Sequence, residues 1–321
     1  MWVVEPARIR WFALPPEGEL RALVQALRDA AEGMREVVRD SEPARVLFEA
    51  VGRPALVALR KQRRAIVVPD GPLYEINFET LVPRDGRPRY WIEDVTLSVA
   101  PSLALMASAG SRNRARADSL LLIGDPAVAR QEFPRLPAVE REIERISRLF
   151  PPATREVVTG TAARPSAYAS LRPGRFTLVH FAAHATASAE NPLDSAIILA
   201  PEGENWKLYA RQVIGVPLAA RLVTLSACRG AGSRVYAGEG LVGFAWAFLQ
   251  AGARNVIAGL WDVHDDSTAV LMERLYANLA SGQAPADALR NAKLSLLAAG
   301  NAWSKPYYWA AFLLYTRGEF F

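Results

Sequence analysis

Cysteine is nearly absent from this sequence: Cys228 is the single thiol among 321 residues. One cysteine cannot close an internal disulfide, so nothing calls for an oxidising compartment. Nor can it build a cysteine-based zinc site, and the three histidines, His180, His184 and His264, are too scattered for a metal cluster. No apolar run reaches the ~18 residues of a membrane span. The start, Met1-Trp2-Val3-Val4-Glu5, lacks the charged and apolar regions of a secretory signal. A cytoplasmic protein, without cofactor or membrane association, is the expectation.

Lysine is also scarce. Only Lys61, Lys207, Lys293 and Lys305 stand against thirty-four arginines, and the formal net charge is +5. The arginines are spread along the chain and interleaved with acids, whereas a nucleic-acid binder concentrates its cations in a stripe with aromatics between them. Direct nucleic-acid binding is not expected, and the densest basic cluster, Arg60-Lys61-Gln62-Arg63-Arg64, reads as a solvated loop running into a strand. Internal repeats of the ~20–50-residue kind that build solenoids are missing too.

What is present is a globular composition, 51% hydrophobic and 22% charged, enough for one large or two moderate cores. Leu20, Leu23, Val24, Leu27, Ala30 and Met34 recur at helical spacing and predict a helix over Glu17–Val38. Strand-like runs follow at Ala65–Val68, Tyr74–Leu81 and Trp91–Ala100, the first closed by Pro69-Asp70-Gly71-Pro72. The polar, arginine-rich stretch Gly110–Asp118 marks a boundary between an amino-terminal helical and β subdomain, residues 1–115, and a second domain, residues 116–321.

Beyond it the rhythm alternates. Strands are predicted at Ser119–Gly124, Glu156–Val158, Phe176–Ala182, Ser195–Leu199, Arg221–Ser226, Asn255–Leu260 and Tyr308–Tyr315. Helices are predicted at Pro137–Phe150, Pro165–Leu171, Gly240–Ala251, Asp265–Ala280 and Pro285–Leu297. Continuous apolar strands between helices predict an α/β fold, a mostly parallel sheet covered on both faces.

In such sheets the functional crevice lies outside the carboxyl ends of the strands. Two residues fall there: His184, just past the strand ending at Ala182, and Cys228, just past the strand ending at Ser226. A thiol beside an imidazole can act as nucleophile and general base, and the imidazolium can then protonate a departing amine. The backbone N–H groups of Cys228 and Ala185 are candidates for holding an oxyanion.

Ala182-Ala183-His184-Ala185 together with Leu225-Ser226-Ala227-Cys228-Arg229-Gly230-Ala231-Gly232 resembles the paired signatures of the CHAT family of caspase-like cysteine peptidases, relatives of caspases and separase. The likeness continues through Gly238-Glu239-Gly240, Phe248–Ala253, Val256–Val263 and Pro306–Phe312. Upstream, Val67–Leu73 and Ala100-Pro101-Ser102 look like the family's amino-terminal half, so the resemblance runs from about residue 45 to the end.

It implies a caspase-hemoglobinase sheet, a pseudo-caspase character for residues 1–115, and an endopeptidase that cuts a specific protein through a Cys228–His184 dyad and a thioester. It also implies a role in bacterial signalling or defence against phage, with a sensor or regulatory protein as partner. By the same analogy Trp261 and Asp262 line the substrate pocket, with Asp194 and Glu239 as further acids at the rim. Asp262 reads equally as a helix cap, and Asp265 and Asp266 read as caps first. His180 reads as a packed strand residue and His264 as a surface residue before a helix. The family carries glycine where this chain has Ala185, a strain if that position needs positive φ. The reading from a different class is a catalytically silent scaffold that binds partners on the same fold.

Overall fold

The computed structural model describes residues 1–59, 63–107, 117–128, 130–188, 190–226, 240–263 and 265–318. Strands run at β1 (Trp2–Glu5), β2 (Arg8–Trp11), β3 (Arg64–Val67), β4 (Thr96–Val99), β5 (Leu120–Pro126), β6 (Arg155–Gly160) and β7 (Leu178–Ala182). They continue with β8 (Ala185–Thr186), β9 (Ala196–Glu202), β10 (Asn205–Tyr209), β11 (Leu222–Ser226), β12 (Asn255–Gly259) and β13 (Phe312–Thr316). The helices are α1 (Glu17–Glu32), α2 (Val37–Asp40), α3 (Glu42–Leu47), α4 (Arg53–Leu59), α5 (Leu103–Ala107) and α6 (Pro137–Arg148). After them come α7 (Pro165–Ser170), α8 (Ala210–Ile214), α9 (Gly240–Ala251), α10 (Asp265–Ala280), α11 (Pro285–Leu297) and α12 (Pro306–Trp309).

Eight strands form one sheet in the order β3-β4-β13-β12-β11-β7-β5-β6. Every neighbouring pair is parallel except β12 with β13, so β3, β4 and β13 run against the other five. Alternation along each strand divides the core into two layers. Leu120, Leu122, Leu178, Leu222 and Ile257 face α6, α10 and α11, against Ile143, Ile146, Leu275 and Leu289. Leu121, Ile123, Val179, Phe181, Val223 and Leu225 face the other way, against Tyr168 of α7, Val213 of α8 and Phe244 and Phe248 of α9. The mixed α/β class and the sheet covered on both faces are as the sequence predicts.

Residues before 108 supply β3 and β4 and cover one layer with α1, which buries Leu20, Val24, Leu27, Ala30 and Ala31. A buried ion pair crosses from this segment to the carboxyl-terminal helices. Lys293 of α11 bonds Glu79 and donates to the Phe312 carbonyl at 2.6 Å. Asn77 donates to Glu79 at 3.0 Å and to the Ala310 carbonyl at 2.8 Å.

Several local expectations are corrected. The first helix stops at Glu32, because Gly33 ends it and Met34 turns left-handed at φ 56°. Tyr74–Leu81 is a pair of short 3₁₀ turns, Gly71–Glu75 and Phe78–Thr80, since Pro72 and the Asn77 side chain capping Glu79 favour turns. Only Thr96–Val99 of the Trp91–Ala100 stretch is strand. Tyr308 lies in α12, and the last strand begins at Phe312. A three-stranded antiparallel sheet, β10-β9-β8, adds a second layer beside the carboxyl rim. Of the basic cluster, Arg60, Lys61 and Gln62 lie outside the described residues, while Arg64 opens β3 and pairs with Asp287.

Candidate active site

The register of β7 against β11 sets the site. Ala182 pairs with Ser226, and on the other side of β7 Gly124 pairs with Ala182. His184 therefore lies two residues past its strand's last bonded pair. Cys228 lies two residues past the same pair in sequence, outside the described residues together with Gly230, Ala231, Gly232, Glu239 and His264.

His184 is buried, with 5% of its surface exposed. The loop between β5 and α6 covers it. Phe133 tilts against the imidazole with ring centroids 5.6 Å apart, and the Pro134 carbonyl lies 2.6 Å from Nε2. A carbonyl oxygen can only accept, so Nε2 carries the proton and donates it to Pro134. In the neutral ring Nδ1 is then the basic nitrogen. Phe133 is itself packed by Trp206 of β10 at 5.6 Å, and Trp206 lies between the Arg130 guanidinium at 4.1 Å and the Lys207 ammonium at 4.5 Å. Sequence reasoning did not single out Phe133, Pro134 or Trp206.

Ala185 opens β8 opposite Ile197, and among the described residues the non-glycine positive φ angles belong to Met34, Asp125 and Arg172. Its backbone is thus ordinary extended chain, and the strain expected of alanine there is not present. Asp125 does hold φ 41°, at the carboxyl end of β5 beside Gly124. That glycine is required by packing: a Cβ on it would sit 2.7 Å from the Ala182 carbonyl oxygen.

The residues expected to line a substrate pocket are placed as follows. Trp261 follows β12 half-buried, its indole N–H donating to the Tyr307 carbonyl at 3.1 Å, and Asp262 beside it is exposed. Asp194 ends a short turn, Pro192–Asp194, and its carboxylate is taken by Arg211 and by the Asn191 amide at 2.8 Å. This turn touches α9, where a Cβ on Gly243 would come within 2.5 Å of the Pro192 carbonyl oxygen. Asp266 of α10 is paired with Arg141 of α6 at 2.5 Å.

His180 is not at the rim. It is fully buried, bonded through Nε2 to Glu142 of α6 at 2.8 Å and through Nδ1 to Tyr276 of α10 at 3.1 Å. Tyr276 reaches Thr224 of β11 at 3.1 Å, and burial holds its phenol above the usual tyrosine range. Among the described residues no group of three metal-ligating side chains forms, and no helix is long and apolar enough to cross a membrane.

The chain is 26% identical over 357 aligned positions to human tetratricopeptide repeat protein 28, covering 96% of this chain and 13% of that protein. The mouse protein of the same name is 34% identical over 107 residues, 33% of this chain and 4% of that protein. This chain thus spans only a small part of the curated relatives it matches. Among solved structures, the Saccharomyces cerevisiae separase–securin complex superposes with TM-score 0.52 at 13% identity, over 84% of this chain and 17% of that one. The CHAT domain model matches residues 41–317. With a caspase-like sheet and that match over most of its length, the chain belongs to the CHAT domain family.

Proposed function

We propose that this chain is a cysteine endopeptidase of the CHAT type, cutting a protein substrate with Cys228 as nucleophile and His184 as base. The observation that carries the reading is the pairing of Ala182 with Ser226. Strands paired this way lie ~4.8 Å apart. In sequence each candidate stands two residues past its member of that pair, and two residues of chain span at most ~7 Å.

The chemistry then runs as follows. Pro134 holds the Nε2 proton, leaving Nδ1 to take the proton of the Cys228 thiol. The thiolate attacks the scissile carbonyl, and the N–H groups of Cys228 and Ala185 stabilise the oxyanion. The imidazolium returns its proton to the leaving amine, and water releases the thioester through the same base. Trp261 and Asp262 line the pocket for the residue before the cut, and the exposed Asp262 carboxylate favours a basic side chain there. Asp194 is already neutralised by Arg211 and serves as a wall, with Glu239 as a further acid. The role in signalling or phage defence, the cytoplasmic setting and a regulatory partner belong to this proposal.

Cys228→Ala is the deciding variant. It should abolish cleavage in a protein mixture while retaining the substrate, and His184→Ala should abolish cleavage as well. A silent scaffold is the competing reading, favoured by the closed cover on His184; it requires that the wild-type protein and Cys228→Ala yield the same peptide ends.

A further inference from the structure

The amino-terminal hairpin presents an apolar face that the fold does not use. β1 and β2 pair Trp2 with Trp11 and Val4 with Ile9. Alternation puts these four side chains on one face and Val3, Glu5, Arg8 and Arg10 on the other. Trp2 is 71% exposed, Val4 69%, Ile9 64% and Trp11 68%.

The hairpin is held firmly. Its ladder is extended by the Phe12 N–H to the Met1 carbonyl and by the Met1 ammonium to the Phe12 carbonyl, both at 2.8 Å. On the inner face Val3 is buried and Glu5 pairs with Arg10. The apolar face is therefore rigid and turned outward, and no charged side chain of the hairpin shares it.

We propose that this face is a self-association surface on which two copies stack hairpin against hairpin about a two-fold axis. Three observations favour a second copy. The face has a large end, Trp2 with Trp11, and a small end, Val4 with Ile9; a two-fold axis lying in the interface and crossing the strands places the large end of one copy over the small end of the other, a self-complementary isologous contact. The area fits as well. At ~200–250 Å² for a whole tryptophan side chain and ~100 Å² for an aliphatic one, these exposures leave about 400–500 Å² per copy. Two copies bury roughly 800–1,000 Å² from these side chains alone, short of the ~1,200 Å² of stable interfaces and within the range of weak, transient ones, so the dimer is reversible. Finally, a face without charge offers nothing to nucleic acid or to a charged peptide, both of which need counter-charges.

Sedimentation velocity in reducing buffer, from ~1 to ~100 μM, tests this across the range a small interface predicts. The wild-type chain should rise from monomer to dimer mass over that range, with a blue shift of tryptophan emission. Trp11→Arg should stay monomeric throughout while keeping its circular dichroism and melting temperature, since the side chain it replaces is 68% exposed. Trp11→Phe should still dimerise. A wild-type chain that stays monomeric at every concentration overturns the proposal, as does a Trp11→Arg dimer of undiminished strength. Co-flotation of a monomeric wild type with phosphatidylcholine–phosphatidylserine vesicles would assign the face to lipid instead.

Discussion

Replacing Lys293 by alanine should destabilise the protein more than removing its ion pair altogether. Lys293 is fully buried and its partner Glu79 nearly so, with side-chain exposures of 0% and 5%. Burial pushes the Lys293 ammonium below the usual lysine range, and Glu79 pushes it back up. Lys293→Ala leaves the Glu79 carboxylate in the core with the Asn77 side-chain amide, at 3.0 Å, as its remaining donor among the described residues. An orphaned buried charge of this kind costs about 3–5 kcal/mol. With an unfolding entropy of ~2.1 cal/mol/K per residue, a chain of 321 residues shifts by roughly 1.5 °C per kcal/mol, so the melting temperature should fall by about 4–8 °C.

The double variant Glu79→Gln with Lys293→Met should recover much of this, because a neutral, well-filled pair of similar volume is often near neutral in stability. The cycle should then show a coupling of at least ~2 kcal/mol. Calorimetry at pH 7 reads both numbers. It should also show one cooperative transition, since the pair and the β4–β13 contact tie residues before 108 to the rest. Additive single-variant losses, or two separate transitions, would refute the reasoning.

Trp206→Ala should lower kcat/KM about tenfold, the equivalent of ~1.4 kcal/mol, by loosening the Phe133 cover on His184; Trp206→Phe should restore most of it, and assays on the cleaved substrate across pH read both. Gly243→Ala should destabilise by about 1–3 kcal/mol, seen in urea unfolding, because its Cβ meets the Pro192 carbonyl oxygen at 2.5 Å. Tyr90, Tyr168, Tyr276 and Tyr315 are all held above the usual phenol range, by burial first. Below pH ~10 neither folded nor unfolded state ionises them, and above it only the unfolded state does. Stability should therefore hold up to about pH 10 and fall beyond, and absorbance titration should show these phenols ionising only as the chain unfolds.

The alternating half of the chain was legible because buried parallel strands are short continuous apolar runs, and β5, β7, β11 and β12 all fall where Leu, Val and Ile cluster. Strand-end placement then singled out both His184 and Cys228. The amino-terminal half was less legible. Tyr74–Leu81 has strand-like composition, but Pro72 and Asn77 dominate locally and give turns. The hairpin of β1 and β2 escaped notice because each strand is only four residues long. At the site, Pro134 acts through its carbonyl oxygen, a group every residue possesses, so no residue type could announce it. Phe133 and Trp206 look like any aromatics until β10 and the β5–α6 loop are seen to meet. The resemblance to the family implied a peptidase dyad for that pair; it did not supply the cover.

That cover changes how the base is understood. Orienting an imidazole requires that the group it bonds be fixed relative to the strand that carries it. Pro134 stands three residues before α6, and α6 is tied to β7 by the bond from His180 to Glu142, four residues before His184. Through Tyr276 the same buried chain reaches Thr224, which pairs directly with His180 and lies four residues before Cys228. One solvent-free polar chain, Glu142–His180–Tyr276–Thr224, thus ties α6 and α10 to β7 and β11. A buried polar chain that apolar side chains could replace is costly to keep. Its position between α6, α10 and the strands β7 and β11 gives it a use in holding those strands in register, which a purely apolar core, tolerant of small slips, would do less sharply.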